Sequence, residues 1–228
     1  MSDGSDEELA PYMARMGPVL EATLGRLAAT SFRADPLSGA RYSRLTSIIG
    51  SAYKRHGQIL GRAILERLKD SSRHAVWTED KFALSPASRE ALERRLPPAA
   101  YRTLALAYGE GERTIPVDLI VHEPSARRIR AYNVTRGNGV YDAGKKRAVV
   151  GEALRTQMHL ADYARSNGLS VDTAEAYVIS YYGLRAAPEP YSLIADELDD
   201  HFGFAVCGAV ESVNDALRRG LHRLIDDA

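Results

Sequence analysis

The chain has 228 residues, 45% of them hydrophobic and 26% charged, with 30 basic and 30 acidic side chains and a formal net charge of zero. That length and composition exclude a disordered tail protein and allow one sizeable core with room for a helical extension. Net neutrality removes any demand for a nucleic-acid partner on charge alone, and the single cysteine, Cys207, excludes an intrachain disulfide.

In chain order, Met1 to about Ala10 is polar and acidic and is expected to be poorly ordered. It lacks the basic-then-apolar layout of a secretory leader, and no apolar run is long enough to cross a membrane, so a cytoplasmic location without membrane contact is expected. Met13, Met16, Leu20, Leu24 and Leu27 recur at helical spacing and predict a helix from Ala10 to Phe32, broken by Pro36 and Gly39. Two more helices are expected, over Arg41–Tyr53 and over His56–Asp70. Ala75–Trp77 and Phe82–Leu84 resemble a pair of short strands, and Ser88–Leu96 a short helix ended by Pro97 and Pro98. Tyr101–Tyr108 is compatible with helix or extended chain.

The pattern then changes. Ile115–Val121 is apolar and rich in β-branched residues, Glu123-Pro124-Ser125 forms a turn, and Arg128–Thr135 alternates, which together predict a β-hairpin. A long amphipathic helix is expected over Lys145–Asn167, a strand over Ala174–Tyr182, a short helix over Leu193–His201, an edge strand over Phe204–Val206 and a closing helix over Val213–Ile225. Cys207 extends the apolar run that begins at Phe204, where a buried small side chain is expected. The simplest division is a helical segment over 1–52 packed on an α/β core over 53–228.

Charge is segregated along the chain. Arg41, Arg44, Lys54, Arg55, Arg62, Arg67, Lys69 and Arg73 are opposed locally only by Glu66 and Asp70. Arg127, Arg128, Arg130, Arg136, Lys145, Lys146, Arg147, Arg155 and Arg165 are opposed only by Asp142, Glu152 and Asp162. Such a chain can present a basic face to phosphate, or carry ordinary solvated helix faces. Gly144-Lys145-Lys146-Arg147 lacks the spacing of a nucleotide-binding loop. It fits better as a contact to a nucleic-acid backbone, because lysines at a helix start oppose its dipole and invite an anion. The six histidines form no spacing typical of a zinc site, and Ser43, Ser180 and Ser192 lie in no nucleophile-elbow context.

An Asp at the end of an apolar strand, a hairpin turn, and a second strand ending in two polar residues separated by one, followed by Gly, resembles the PD-(D/E)XK nuclease superfamily. The matching residues are Asp118 and the segment Ala131-Tyr132-Asn133-Val134-Thr135-Arg136-Gly137. The resemblance covers roughly Tyr53 to Tyr182 and extends to the basic helix and the strand that follow the hairpin. It implies a restriction-endonuclease-like core, a mixed sheet flanked by helices, with the N-terminal helices as an addition. In such enzymes an Asp and a Glu hold Mg²⁺ and a Lys two residues on helps activate water, so Glu and Lys must share one face of the strand. Here Asn133 stands in the Glu position and Thr135 in the Lys position. An upstream helical Glu is also common in the family, and Gly57-Gln58-Ile59-Leu60-Gly61 matches its stretch with Gly61 in the acidic slot. Only Asp118 remains as a weak metal ligand.

The resemblance therefore implies a pseudo-nuclease that binds double-stranded DNA, with Arg136, Lys145, Lys146 and Arg147 on the phosphates and cleavage reduced or lost. Two alternatives stay open. One is a working Mg²⁺-dependent endonuclease using Asp118 with displaced partners such as Glu66 or Glu123. The other is a non-catalytic scaffold for protein contacts, for which a homodimer is one form.

Overall fold

The computed structural model describes residues 3–31, 33–37, 39–109, 111–139 and 141–226; the side chains of residues 3–8 and of Arg41, counted above among the acidic and basic residues, lie outside the described part. The chain divides into two compact units, Met1–Asp70 with Ala205–Ala228, and Ser71–Phe204. Residue 52, the expected boundary, lies inside a helix of the first unit.

The helical unit contains α1 (Asp3–Ala29), α2 (Gly39–Leu68) and a C-terminal helix (Cys207–Asp226), all three packed on one another. Tyr12, Met16, Leu20 and Leu27 recur on one face of α1 and are buried, as are Ile48, Ala52 and Ile59 on α2 and Val210, Val213 and Leu217 on the C-terminal helix. The expected polar start is instead helical backbone from Asp3, and α1 continues through Pro11 and Pro18. The two helices expected over 41–70 are one: no Pro interrupts Tyr53–His56, and the apolar spacing from Ile48 through Ala52 to Ile59 keeps one face throughout. His56 Nε2 meets Asn214 Oδ1 at 2.9 Å.

The α/β unit contains β1 (Ala75–Leu84), α3 (Pro86–Glu93), a 3₁₀ turn (Pro98–Thr103), β2 (Arg113–Glu123), β3 (Arg128–Thr135), α4 (Ala143–Ser166), β4 (Thr173–Ser180), β5 (Ser192–Leu193) and, after a 3₁₀ turn, α5 (Leu198–Phe202). The C-terminal helix is α6. The five strands lie in the order β1-β2-β3-β4-β5. The first three are antiparallel, and β3, β4 and β5 are parallel. The mixed sheet with flanking helices is thus present. Joining parallel β3 to β4 requires a crossover, which α4 supplies. One stretch of α4 buries Leu160, Tyr163 and Ala164 with Phe82, Ile115, Val117 and Ile129. Another buries Ala153, Leu154 and Met158 with Tyr101, Val178 and Tyr191.

Three local expectations need correction. The two short strands before Leu84 are one strand, kept continuous by bulges that absorb its irregular pairing. Ser85 precedes α3 as its cap, its hydroxyl accepting from Ser88 N–H, so that helix starts at Pro86. Phe204–Val206 forms no strand; the edge is the two-residue β5, and Cys207 is only half-buried, at the start of α6. Among the described residues, no helix is long and apolar enough to cross a membrane.

Candidate functional site

The hairpin opens into a fork. Strands β2 and β3 pair only from Leu119–Tyr132 to Glu123–Arg128. The first half of β2 pairs with β1 alone, while the end of β3 pairs with β4 as far as Thr135–Ser180. Pro116 supplies no N–H to the β1 ladder, and Asp80 and Lys81 bulge opposite it. A second bulge sets Asp118 and Leu119 opposite the single residue Thr78. Asp118 therefore sits at the crotch of the fork.

There the aspartate side chain takes the place of a missing ladder carbonyl. Val134 N–H donates to Asp118 Oδ2 at 2.7 Å, and Asp118 N–H makes a long hydrogen bond to Asn133 Oδ1 at 3.4 Å. Burial raises the Asp118 carboxyl above its ordinary range, and the Val134 bond only partly offsets this. Thr135 donates its hydroxyl to Ile179 O at 3.3 Å. At Gly137 φ is +63°, and a β-carbon there would lie 2.8–3.0 Å from Ser180, so the turn after β3 admits only glycine.

The sequence-predicted residues Asp118, Asn133 and Thr135 are thus together at the fork. Gly61 belongs to α2 of the helical unit and contributes no side chain. The donor set does not fit Mg²⁺. One carboxylate oxygen is engaged by backbone, its neighbours are a neutral amide and a hydroxyl, and hard divalent cations require more carboxylate than this. Among the described residues, no three His, Cys, Asp or Glu side chains cluster as a metal site.

The two displaced carboxylates are both engaged in ion pairs. Glu66 is buried and paired with Arg15, Arg62 and Lys69. Glu123 lies five residues beyond Asp118, about 17 Å along the strand. It is buried against Arg130, accepts from Arg128 at 3.0 Å and lies 3.3 Å from His74 Nε2.

Five of the nine basic residues in the run of this unit are paired with carboxylates of the same unit. Arg128 and Arg130 serve Glu123, Arg155 pairs with Glu112 at 2.7 Å, Arg127 with Asp172, and Arg165 with Asp162. Arg136 is half-buried, with its guanidinium 5.9 Å from the Tyr182 ring centroid. Lys145, Lys146 and Arg147 are exposed in the first turn of α4 and form no ion pair among the described residues. One anion at the helix start is the chain's own: Asp142 caps α4, its Oδ1 accepting from Lys145 N–H at 2.8 Å, and this bond with others from the helix start lowers its pKa.

A buried polar cluster accompanies Glu123. Arg130 donates to His201 O at 2.8 Å, Tyr132 Oη is 2.8 Å from His201 Nε2, and Tyr132 stacks on Tyr177 at 5.6 Å. Burial, reinforced by the Arg130 and Arg128 charges, pushes His201 down to about 3 and keeps it neutral. The sequence carries a signal for this cluster: Arg128, Arg130 and Tyr132 alternate along an apolar strand, so an arginine must enter the interior, where it requires a carboxylate.

Compared with known proteins, the chain matches no family model, no curated protein and no solved structure.

Proposed function

We propose that this chain is a nucleic-acid-binding protein resembling the PD-(D/E)XK nucleases, and that it binds duplex DNA without cleaving it. The observation that carries this reading is the fork. The element order of three antiparallel strands, a helix and a strand parallel to the third suits the restriction-endonuclease-like core. It puts Asp118 opposite Asn133, where such an enzyme would need a second carboxylate. The carboxylate is turned to structural use on Val134 N–H, and Thr135 brings no cation. The exposed cations at the start of α4 offer phosphate contacts near the carboxyl ends of the parallel strands.

The test is a paired assay on one preparation. A 20-base-pair duplex is titrated by anisotropy through a salt series, and supercoiled plasmid is incubated with Mg²⁺ or Mn²⁺. Salt-sensitive binding without nicking is expected, with weaker binding for the variant Lys145→Ala, Lys146→Ala, Arg147→Ala. Cleavage abolished by Asp118→Ala would replace this reading with a working nuclease; absence of binding would turn it towards a protein partner. The variant Gly61→Glu, Asn133→Glu, Thr135→Lys tests the ancestry separately, gained metal-dependent nicking being the supporting result.

A further inference from the structure

The helical unit carries a second, independent concentration of positive charge. Two open depressions follow the seam where α1 and α2 meet. Arg26, Arg55 and Arg62 line the first, together with Thr23 and Gln58. Arg44 lines the second, among alanines and small hydroxyl side chains. Among the described residues, no carboxylate lines either one.

The arginines of α2 are aligned by sequence spacing. Arg44 to Arg55 is eleven residues and Arg55 to Arg62 is seven, about three turns and two turns, so all three project along one line of the helix. Arg26 joins them from α1. Arg26, Arg44 and Arg55 form no ion pair among the described residues, while Arg62 reaches Glu66 at 2.8 Å. Arg26 Nε and Arg55 Nη1 each donate to a carbonyl four residues back on their own helix, at 3.1 and 3.3 Å, leaving most of each guanidinium's five donors.

We infer that this seam is a tracking groove for the phosphate backbone of duplex nucleic acid. From Arg44 to Arg62 the line runs about 27 Å, at 1.5 Å per residue. Arg44 stands about 16 Å along α2 from Arg55 and its depression, so the charges do not converge on a single phosphate; they suit an extended polyanion, and the whole line matches about eight base pairs at 3.4 Å each. The lining favours nucleic acid over an acidic peptide, because it offers guanidinium, amide and hydroxyl groups and few large apolar side chains to anchor peptide residues. The inference rests on the nucleic-acid reading but places contacts on residues that reading does not use.

The experiment compares full-length wild type, Arg26→Gln/Arg44→Gln/Arg55→Gln, the matching triple Lys variant and the α4 triple Ala variant. Each is titrated by anisotropy with the same duplex from 50 to 200 mM salt, with far-ultraviolet circular dichroism as the folding control. The Gln variant is expected to keep its helix content, to bind at least about tenfold more weakly for any duplex sequence, and to lose about one unit of salt slope per arginine, about three in all. The Lys variant, which keeps the charges, is expected to retain most of the affinity. Wild-type affinity and slope in the Gln variant overturn the inference while leaving the nucleic-acid reading to the α4 variant. Equal loss in the Lys and Gln variants overturns it as a backbone contact. Wild-type binding to poly-glutamate but not to duplex assigns the seam to an acidic protein and removes both readings.

Discussion

At the scale of single residues, Asp118 is the test of whether the fork does chemistry or holds backbone. Its raised pKa means that folding favours the protonated acid more than the unfolded chain does, so its contribution to stability is fully present below the unfolded pKa and is lost as pH rises through the folded pKa. Asp118→Asn retains an acceptor for Val134 N–H and removes that penalty, so at pH 7 it is expected to be neutral or stabilising by up to about 1 kcal/mol in urea denaturation. Asp118→Ala orphans a buried N–H and is expected to be destabilising by about 1–3 kcal/mol. The reverse ranking would mean that the carboxylate is retained for its charge. Glu123 behaves oppositely. Burial alone would raise it, but the Arg128 hydrogen bond and the Arg130, Arg128 and His74 charges outweigh burial and hold it below the ordinary glutamate range. Glu123→Gln leaves Arg130 buried without a counter-ion and is expected to cost about 3–5 kcal/mol.

At the scale of elements, the start of α4 joins a cap to a basic turn. Asp142→Ala removes the capping acceptor and lowers the melting temperature. It also removes a carboxylate beside Lys145, and is therefore expected to tighten duplex binding at low salt, measured by the same anisotropy titration. Unchanged affinity would take this turn out of the phosphate contacts. The hairpin was legible in the sequence, because its alternation and turn residues are local, and so was the approach of Asp118 to Asn133. The bulge at Asp118 was not read, since register depends on how three strands share hydrogen bonds, although Pro116 announces a break in the ladder. The two helices expected over Arg41–Tyr53 and His56–Asp70 are one, because no residue between Tyr53 and His56 removes a backbone hydrogen bond from α2. Strand β5, two residues long, carries no periodicity to detect.

For the whole molecule, the zero net charge conceals two different uses of arginine. In the α/β unit most of the arginines are bound to carboxylates, whereas along the α1–α2 seam Arg26, Arg44 and Arg55 form no ion pair among the described residues. Acid should therefore undo the α/β unit in a defined order. His201, held near 3, lets the folded protein refuse a proton that the unfolded chain takes up near 6.5, so stability falls as pH drops from the ordinary histidine range. The depressed Glu123 adds its own loss below the ordinary glutamate range. His201→Phe is expected to flatten the upper part of this acid limb in pH-dependent denaturation and to leave the lower part; an unchanged limb would remove His201 as its source.

The helical unit is assembled from both sides of the α/β segment, with α1 and α2 preceding it and α6 following it, and at Gly220 a β-carbon would stand 2.3 Å from Leu24. On the ribosome, then, α1 and α2 emerge with apolar faces whose third partner has not yet been made, while the intervening 71–204 can close its own sheet first. The early helices must wait some 140 residues for α6, roughly 7–28 s at 5–20 residues per second. During that interval the faces of α1 and α2 that pack on α6, Leu24 among them, lack their partner.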